Sequence, residues 1–120
     1  MDYKFINMDY LDSVSGGDSE MIREILIMFK DQSIEIFNEM KSHLADKDYP
    51  SLGLLAHKAK SSVAIMGMND LAMMLKTFEL QAKDGKDSEL YESYLTRFKT
   101  DTEAAVKELE DIVNNRLTRN

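Results

Sequence analysis

The chain has 120 residues, room for one domain, and 43% hydrophobic residues are enough to bury a core. A formal net charge of −7 argues against nucleic acid as a partner, and the absence of cysteine excludes a disulfide framework and a thiolate metal site. No apolar run approaches the about 18 residues of a membrane span, and Met1-Asp2-Tyr3-Lys4 lacks the basic and apolar parts of a signal peptide, so no membrane role and a cytoplasmic location are expected.

One proline and five glycines point to long helices with few breaks, and nine methionines without a tryptophan suggest an adaptable core. Asn7 has N-cap chemistry and opens a short helix over about 8–13, with Met8 and Leu11 turned inward and Gly16-Gly17 ending it. Asp18 or Ser19 caps the first long helix. Its inward residues, Ile22, Ile25, Leu26, Phe29, Ile36, Phe37, Met40 and Leu44, recur in steps of three and four. After the turn Asp46-Lys47-Asp48-Tyr49, Pro50 suits the first position of a second long helix, where no amide donor is needed. That helix runs to about Met66, and Gly67 is placed to terminate it. Asn69 caps the third helix, with Leu71, Met74, Leu75 and Phe78 on one face and Asp84-Gly85 at its end. Ser88 caps the last helix, whose stripe of Tyr91, Tyr94, Leu95, Phe98, Ala105, Leu109, Ile112 and Val113 is interrupted by Thr102. The polar tail over 115–120 is expected to fray.

Four amphipathic helices joined by short turns pack most simply as an antiparallel up-down-up-down bundle. The expected fold is therefore all-α: a four-helix bundle over about 18–115 with a short extra N-terminal helix, one domain over 1–120. The two outer helices are the longer pair and should project beyond the inner two. There is no repeat, no low-complexity segment and no convincing strand alternation.

The second long helix carries the chemistry. At about 100° per residue, Leu52, Leu55, Ala56, Ala59, Val63 and Met66 share one stripe and His57 points nearly the opposite way. The neighbours of His57 at helical spacing are Gly53, Leu54, Lys60 and Ser61, with Ala64 two turns on. An ordinary solvated face would carry Glu, Lys and Gln, better helix formers than Gly or Ser. A face cleared around one imidazole, with one positive charge beside it, is what docking of another macromolecule onto His57 would require.

Other chemistries lack their parts. A serine or cysteine triad needs a nucleophile beside an oriented base, and there is neither a Gly-x-Ser-x-Gly nor a cysteine. A zinc site needs about three protein ligands, whereas His43 and His57 are the only histidines and no His-x-x-x-His pair exists. No glycine-rich phosphate loop is present, so a phosphoryl group on His57 would have to come from another protein. Neither a metal nor a cofactor of the chain's own is expected.

Ala56, His57, Lys60, Ser61, Ser62 and Gly67 closely resemble the signature of the histidine-containing phosphotransfer domains of two-component phosphorelays: Ala-His-x-x-Lys, a small residue, Ser, and Gly ten positions after the histidine. Tyr10-Leu11 through Gly16-Gly17-Asp18 and the apolar run to Phe29 resemble the family's first segment, and Leu71 through Leu75 to Phe78-Glu79-Leu80 its next helix. Most of 8–84 is covered, and the last helix matches in pattern only. Ala59 stands where leucine is frequent, and Ser61 where glycine is frequent; neither change removes a group that the chemistry uses.

The resemblance implies a phosphorelay intermediate that takes a phosphoryl group onto His57 from a receiver-domain phospho-aspartate and passes it to another receiver. It is a transfer intermediate rather than an enzyme. Lys60, one turn from His57, would meet the phosphoryl oxygens. Glu79 lies at the edge of the third helix's apolar face, either a plain boundary glutamate or one that reaches the second helix. In the family a polar residue there hydrogen-bonds the histidine Nδ1. Partners would be receiver domains and a hybrid sensor kinase, with Mg²⁺ on the receiver, and a monomer is expected. Docking is assigned to Gly53, Leu54, Lys58, Ser61, Ala64 and Met68, with Met73 also off the apolar stripe, while His43 is read as surface. The alternative is a receiver-binding or adaptor bundle that transfers nothing.

Overall fold

In the computed structural model the described residues are 4–6 and 8–118. Asn7, expected to cap the first helix, lies outside them, as do residues 119–120 of the tail. The described residues form five α-helices: α1 (Met8–Ser15), α2 (Ser19–Ala45), α3 (Tyr49–Ile65), α4 (Asn69–Asp84) and α5 (Tyr91–Thr118). Helices α2 to α5 make the antiparallel bundle, α2 packing on α3 and α5, α4 on α3 and α5, with α1 laid against α2. Among the described residues no helix is long and apolar enough to cross a membrane.

The helix boundaries have identifiable causes. The Asp18 carboxylate accepts from the Glu20 amide and starts α2. Asp48 accepts from both the amide and the hydroxyl of Ser51, so α3 starts at Tyr49 and Pro50 is its second residue rather than its first, still in the turn where its missing donor costs nothing. Those hydrogen bonds from Ser51 hold the Asp48 carboxyl below its ordinary value. Gly67 (φ +79°) and Gly85 (φ +66°) adopt the left-handed conformation that stops α3 and α4.

Three further boundary expectations need correction. Asn69 is the first residue of α4 rather than its cap; Met68 holds the cap position without a side-chain hydrogen bond. Ser88 opens a 3-10 turn, Ser88–Leu90, that leads into α5, so a short tight turn stands where a simple cap was expected. The last helix, expected to end at about 115, continues to Thr118.

The expected stripes are buried. Leu52, Leu55, Ala56, Ala59 and Val63 of α3, with Met66 just past its end, join Leu71, Met74, Leu75 and Phe78 of α4 in one core with Phe29, Ile36, Met40, Phe98 and Leu109. Thr102 stays within the stripe of α5, buried, because its hydroxyl donates to the Phe98 carbonyl at 2.7 Å. The molecule measures 51 × 21 × 19 Å. Helices α2 and α5 span 27 and 28 residues against 17 and 16 for α3 and α4. At 1.5 Å per residue the outer pair is longer by about 15 Å, so it projects beyond the inner pair.

Gly53 departs from its expected role. It is buried, not part of an open face, and an added β-carbon would lie 3.3 Å from Cγ of Lys83 and 3.4 Å from the Glu79 carbonyl oxygen. Its missing side chain lets α4 approach α3 at the level of Glu79. Helical spacing from His57 could not distinguish a position cleared for a partner from one cleared for a neighbouring helix. We predict that Gly53→Leu lowers stability by about 1–3 kcal/mol through overpacking, despite leucine's better helix propensity. Urea unfolding checks this, and a parental midpoint would return Gly53 to the open face.

Candidate functional site

The site is built where α3 and α4 run closest. His57 projects from α3 with its side chain 60% exposed, while the Glu79 side chain on α4 is only 10% exposed. Nδ1 of His57 lies 3.2 Å from both Oε1 and Oε2 of Glu79. An ionised carboxylate only accepts, so Nδ1 carries the proton and donates it, and in the neutral ring the lone pair resides on Nε2. Glu79 thus reaches the second long helix, as the resemblance implies.

Two lysines complete the cluster. Lys83 Nζ is 3.1 Å from Glu79 Oε2, and Lys60 Nζ is 3.8 Å from Oε1. Burial pushes the Glu79 carboxyl up, but hydrogen bonds from Lys83 and His57, with the charges of both, outweigh it and hold the group below its ordinary value. Lys83 was not singled out in the sequence. Its spacing of four from Glu79 was the available signal, since i,i+4 acid–base pairs meet on a helix surface.

Around His57, Leu54 (69% exposed), Lys58, Ser61 and Ala64 share the exposed side of α3. The Ser61 hydroxyl turns back to the His57 carbonyl at 3.4 Å, which keeps its profile low. Ser62 donates to Gln32 Oε1 at 2.8 Å and ties this face to α2. Met68 is buried at the start of α4 and drops out of the docking set: the left-handed Gly67 turns the chain so that the next side chain enters the core. Met73 is exposed, as expected of a residue off the stripe. The exposed apolar residues Met28 on α2 and Ile65 on α3 were missed. Both interrupt solvent faces, which was the only signal. His43 is half-buried at the α2–α3 turn, its Nδ1 3.6 Å from Asp48, and takes no part in the cluster. Among the described residues no group of three or more His, Asp or Glu side chains could hold a metal ion.

An all-helical bundle that presents one carboxylate-oriented imidazole to solvent defines a helical histidine module. Residues 24–115 match the model of a family described as the Hpt domain, and the chain belongs to that family, the histidine phosphotransfer modules of phosphorelays, which interact with receiver domains and carry no kinase machinery. The match takes in the last helix, which resembled the family in pattern only, and leaves out α1 and the first turn of α2. No curated protein and no solved structure gives a significant match.

The lowered Glu79 titration has a consequence for stability. A carboxyl depressed in the fold stabilises it above the unfolded value, about pH 4.3, and that contribution is lost as pH falls through the folded value. Glu79→Gln keeps the shape without the charge. We predict that it costs about 1 kcal/mol at pH 7, with the partly exposed lysines limiting the loss. The gap to the parent protein should close on acidification below about pH 4. Urea unfolding at both pH values measures it, and a gap independent of pH would remove the charge from the account.

Proposed function

We propose that His57 is the phosphoacceptor of this Hpt domain and that the protein relays a phosphoryl group between two receiver domains. The observation that carries the reading is the pair of 3.2 Å contacts from Nδ1 to the Glu79 oxygens, which leave Nε2 of this largely exposed ring as the nucleophile. In the forward step Nε2 attacks phosphorus of a receiver's phospho-aspartate. The Nε2–P bond forms as the aspartyl O–P bond breaks, and the electron pair leaves on the receiver carboxylate. The Nδ1 proton stays on the ring, and Glu79 balances the positive charge that the imidazole gains. The onward step reverses this on a second receiver. Lys60 offsets the phosphoryl charge as it arrives. The receiver brings the acidic pocket and Mg²⁺, so the protein is a transfer intermediate and not an enzyme in its own right, acting as a cytoplasmic monomer with a hybrid sensor kinase upstream.

The exposed side of α3 is the docking surface in this reading. Leu54, Ala64 and Ile65 offer apolar contact; Lys58 offers charge, and Ser61 keeps the approach open. An adaptor that binds receivers without transfer would need neither an oriented imidazole nor a lysine one turn away.

His57→Ala should abolish acid-labile phosphate incorporation from a phosphorylated receiver while leaving the protein folded, because the ring is largely exposed and Lys83 still pairs with Glu79. Incorporation that survives in His57→Ala and disappears in His43→Ala would overturn the assignment. Ser61→Gln tests the docking surface separately. Glutamine is an acceptable helix former, so stability should stay within a few tenths of a kcal/mol. Receiver transfer should fall by at least about tenfold, a barrier increase of roughly 1.4 kcal/mol. Phosphorylation by phosphoramidate, a donor too small to be obstructed, provides the control. Full receiver transfer by Ser61→Gln would place the docking surface elsewhere.

A further inference from the structure

Two lysines surround one buried carboxylate, one more cation than its charge requires. They are not equivalent. Lys83 Nζ is at hydrogen-bond distance from Glu79, 3.1 Å, whereas Lys60 Nζ at 3.8 Å is beyond it. Lys83 stands one turn after Glu79 on the same helix, and its stem passes over Gly53, where a side chain would crowd its Cγ. Lys60 lies on the other helix, one turn from His57. The charged groups that meet at this point are therefore Glu79 and Lys83 from α4 and Lys60 from α3. From α2 the contact to this face is the uncharged Gln32. Lys76 on α4 and Lys58 on α3 are exposed and outside ion-pair distance of the carboxylate.

We propose that Lys83 is a positioning residue: it is the standing counter-ion of Glu79, and by occupying that carboxylate it leaves the Lys60 ammonium available to the phosphoryl oxygens on His57. This rests on the reading of His57 as the phosphoacceptor. A carboxylate this deeply buried needs a cation, because burial disfavours its charge. Without Lys83, the nearest replacement is Lys60, which has only to close from 3.8 Å to hydrogen-bond distance. An arriving phosphoryl group would then compete with Glu79 for Lys60.

The test is a double-mutant cycle on transfer from a receiver domain charged with acetyl phosphate, using Lys83→Met, Lys60→Ala and the pair. Carbon-13 NMR titration of the Glu79 carboxyl in the unphosphorylated protein runs alongside. Lys60→Ala alone should slow transfer about tenfold, and Lys83→Met alone about threefold to tenfold. The double variant should be no slower than about tenfold, because removing Lys83 has already engaged Lys60. Lys83→Arg should restore the parental rate. The Glu79 titration should move to higher pH in Lys83→Met and stay in place in Lys83→Arg, a response that a merely structural lysine would not produce. Single effects that multiply, an unchanged rate in Lys83→Met, or an unmoved Glu79 titration would each overturn the proposal. A parent protein that takes no phosphoryl group on His57 would overturn the proposed function instead, and the NMR titration would still decide whether Lys83 is the counter-ion.

Discussion

A charged carboxylate inside a helical interface is expensive unless every oxygen is occupied, and Glu79 is the group on which this structure turns. It is the one buried acid among the described residues of α3 and α4. Its neighbours Leu75, Phe78 and Ala82 anchor α4 in the core, so the carboxylate has little freedom to swing outward. Its two oxygens are held by His57 from α3 and Lys83 from α4, with the Lys60 ammonium standing off at 3.8 Å. The interaction therefore works in two directions. It fixes the imidazole, and it makes the α3–α4 contact sensitive to charge as well as to shape.

The remaining helices hold that contact in place. Helices α2 and α5 back the inner pair through Phe29, Ile36, Phe98 and Leu109, which leaves the far side of α3 free. At the other end, Tyr91 is fully buried between Tyr49 and Phe78, its ring edge-on to Tyr49 with centroids 5.3 Å apart. Burial, together with the neighbouring phenols and carboxylates, raises the Tyr91 hydroxyl above its ordinary value, so it remains a neutral donor to the Lys86 carbonyl. The aromatic cluster joins the starts of α3 and α5 to Phe78 of α4, the residue before Glu79, so it braces the stretch of α4 that carries the carboxylate.

Much of this was legible in the residues because helical periodicity reports burial directly. The stripe from Leu52 to Met66 and the cap at Asp18 needed no information from elsewhere in the chain, whereas Asp48, read only as part of a turn, is the cap of α3. His57 stood out because it lies opposite that stripe. What sequence spacing cannot report is which neighbouring helix covers a given face. Gly53 and Met68 were misassigned for that reason: the small residue fits against α4, and the methionine follows a left-handed glycine that redirects the chain. Glu79 remained ambiguous between boundary and site because its partner lies across an interface. Lys83 looked like one surface lysine among many until the carboxylate it serves had a position.

The whole site lies within one helical hairpin. His57 and Glu79 are 22 residues apart, whereas Ser33 and Thr102, which line the groove between α2 and α5, are 69 apart. Closing the shorter loop costs about 1 kcal/mol less chain entropy, since that cost grows with the logarithm of loop length. The inner hairpin is thus less demanding to bring together than the α2–α5 pair, and contacts of short sequence separation favour early assembly. The geometry around His57 is encoded locally. An insertion in the turns that flank the hairpin, at 46–48 or 85–87, would lengthen connections without altering the register between the imidazole and its carboxylate. The reacting group and the charged partners around it thus form one contiguous cassette of the chain, braced by the long outer helices but built without a charged group from either.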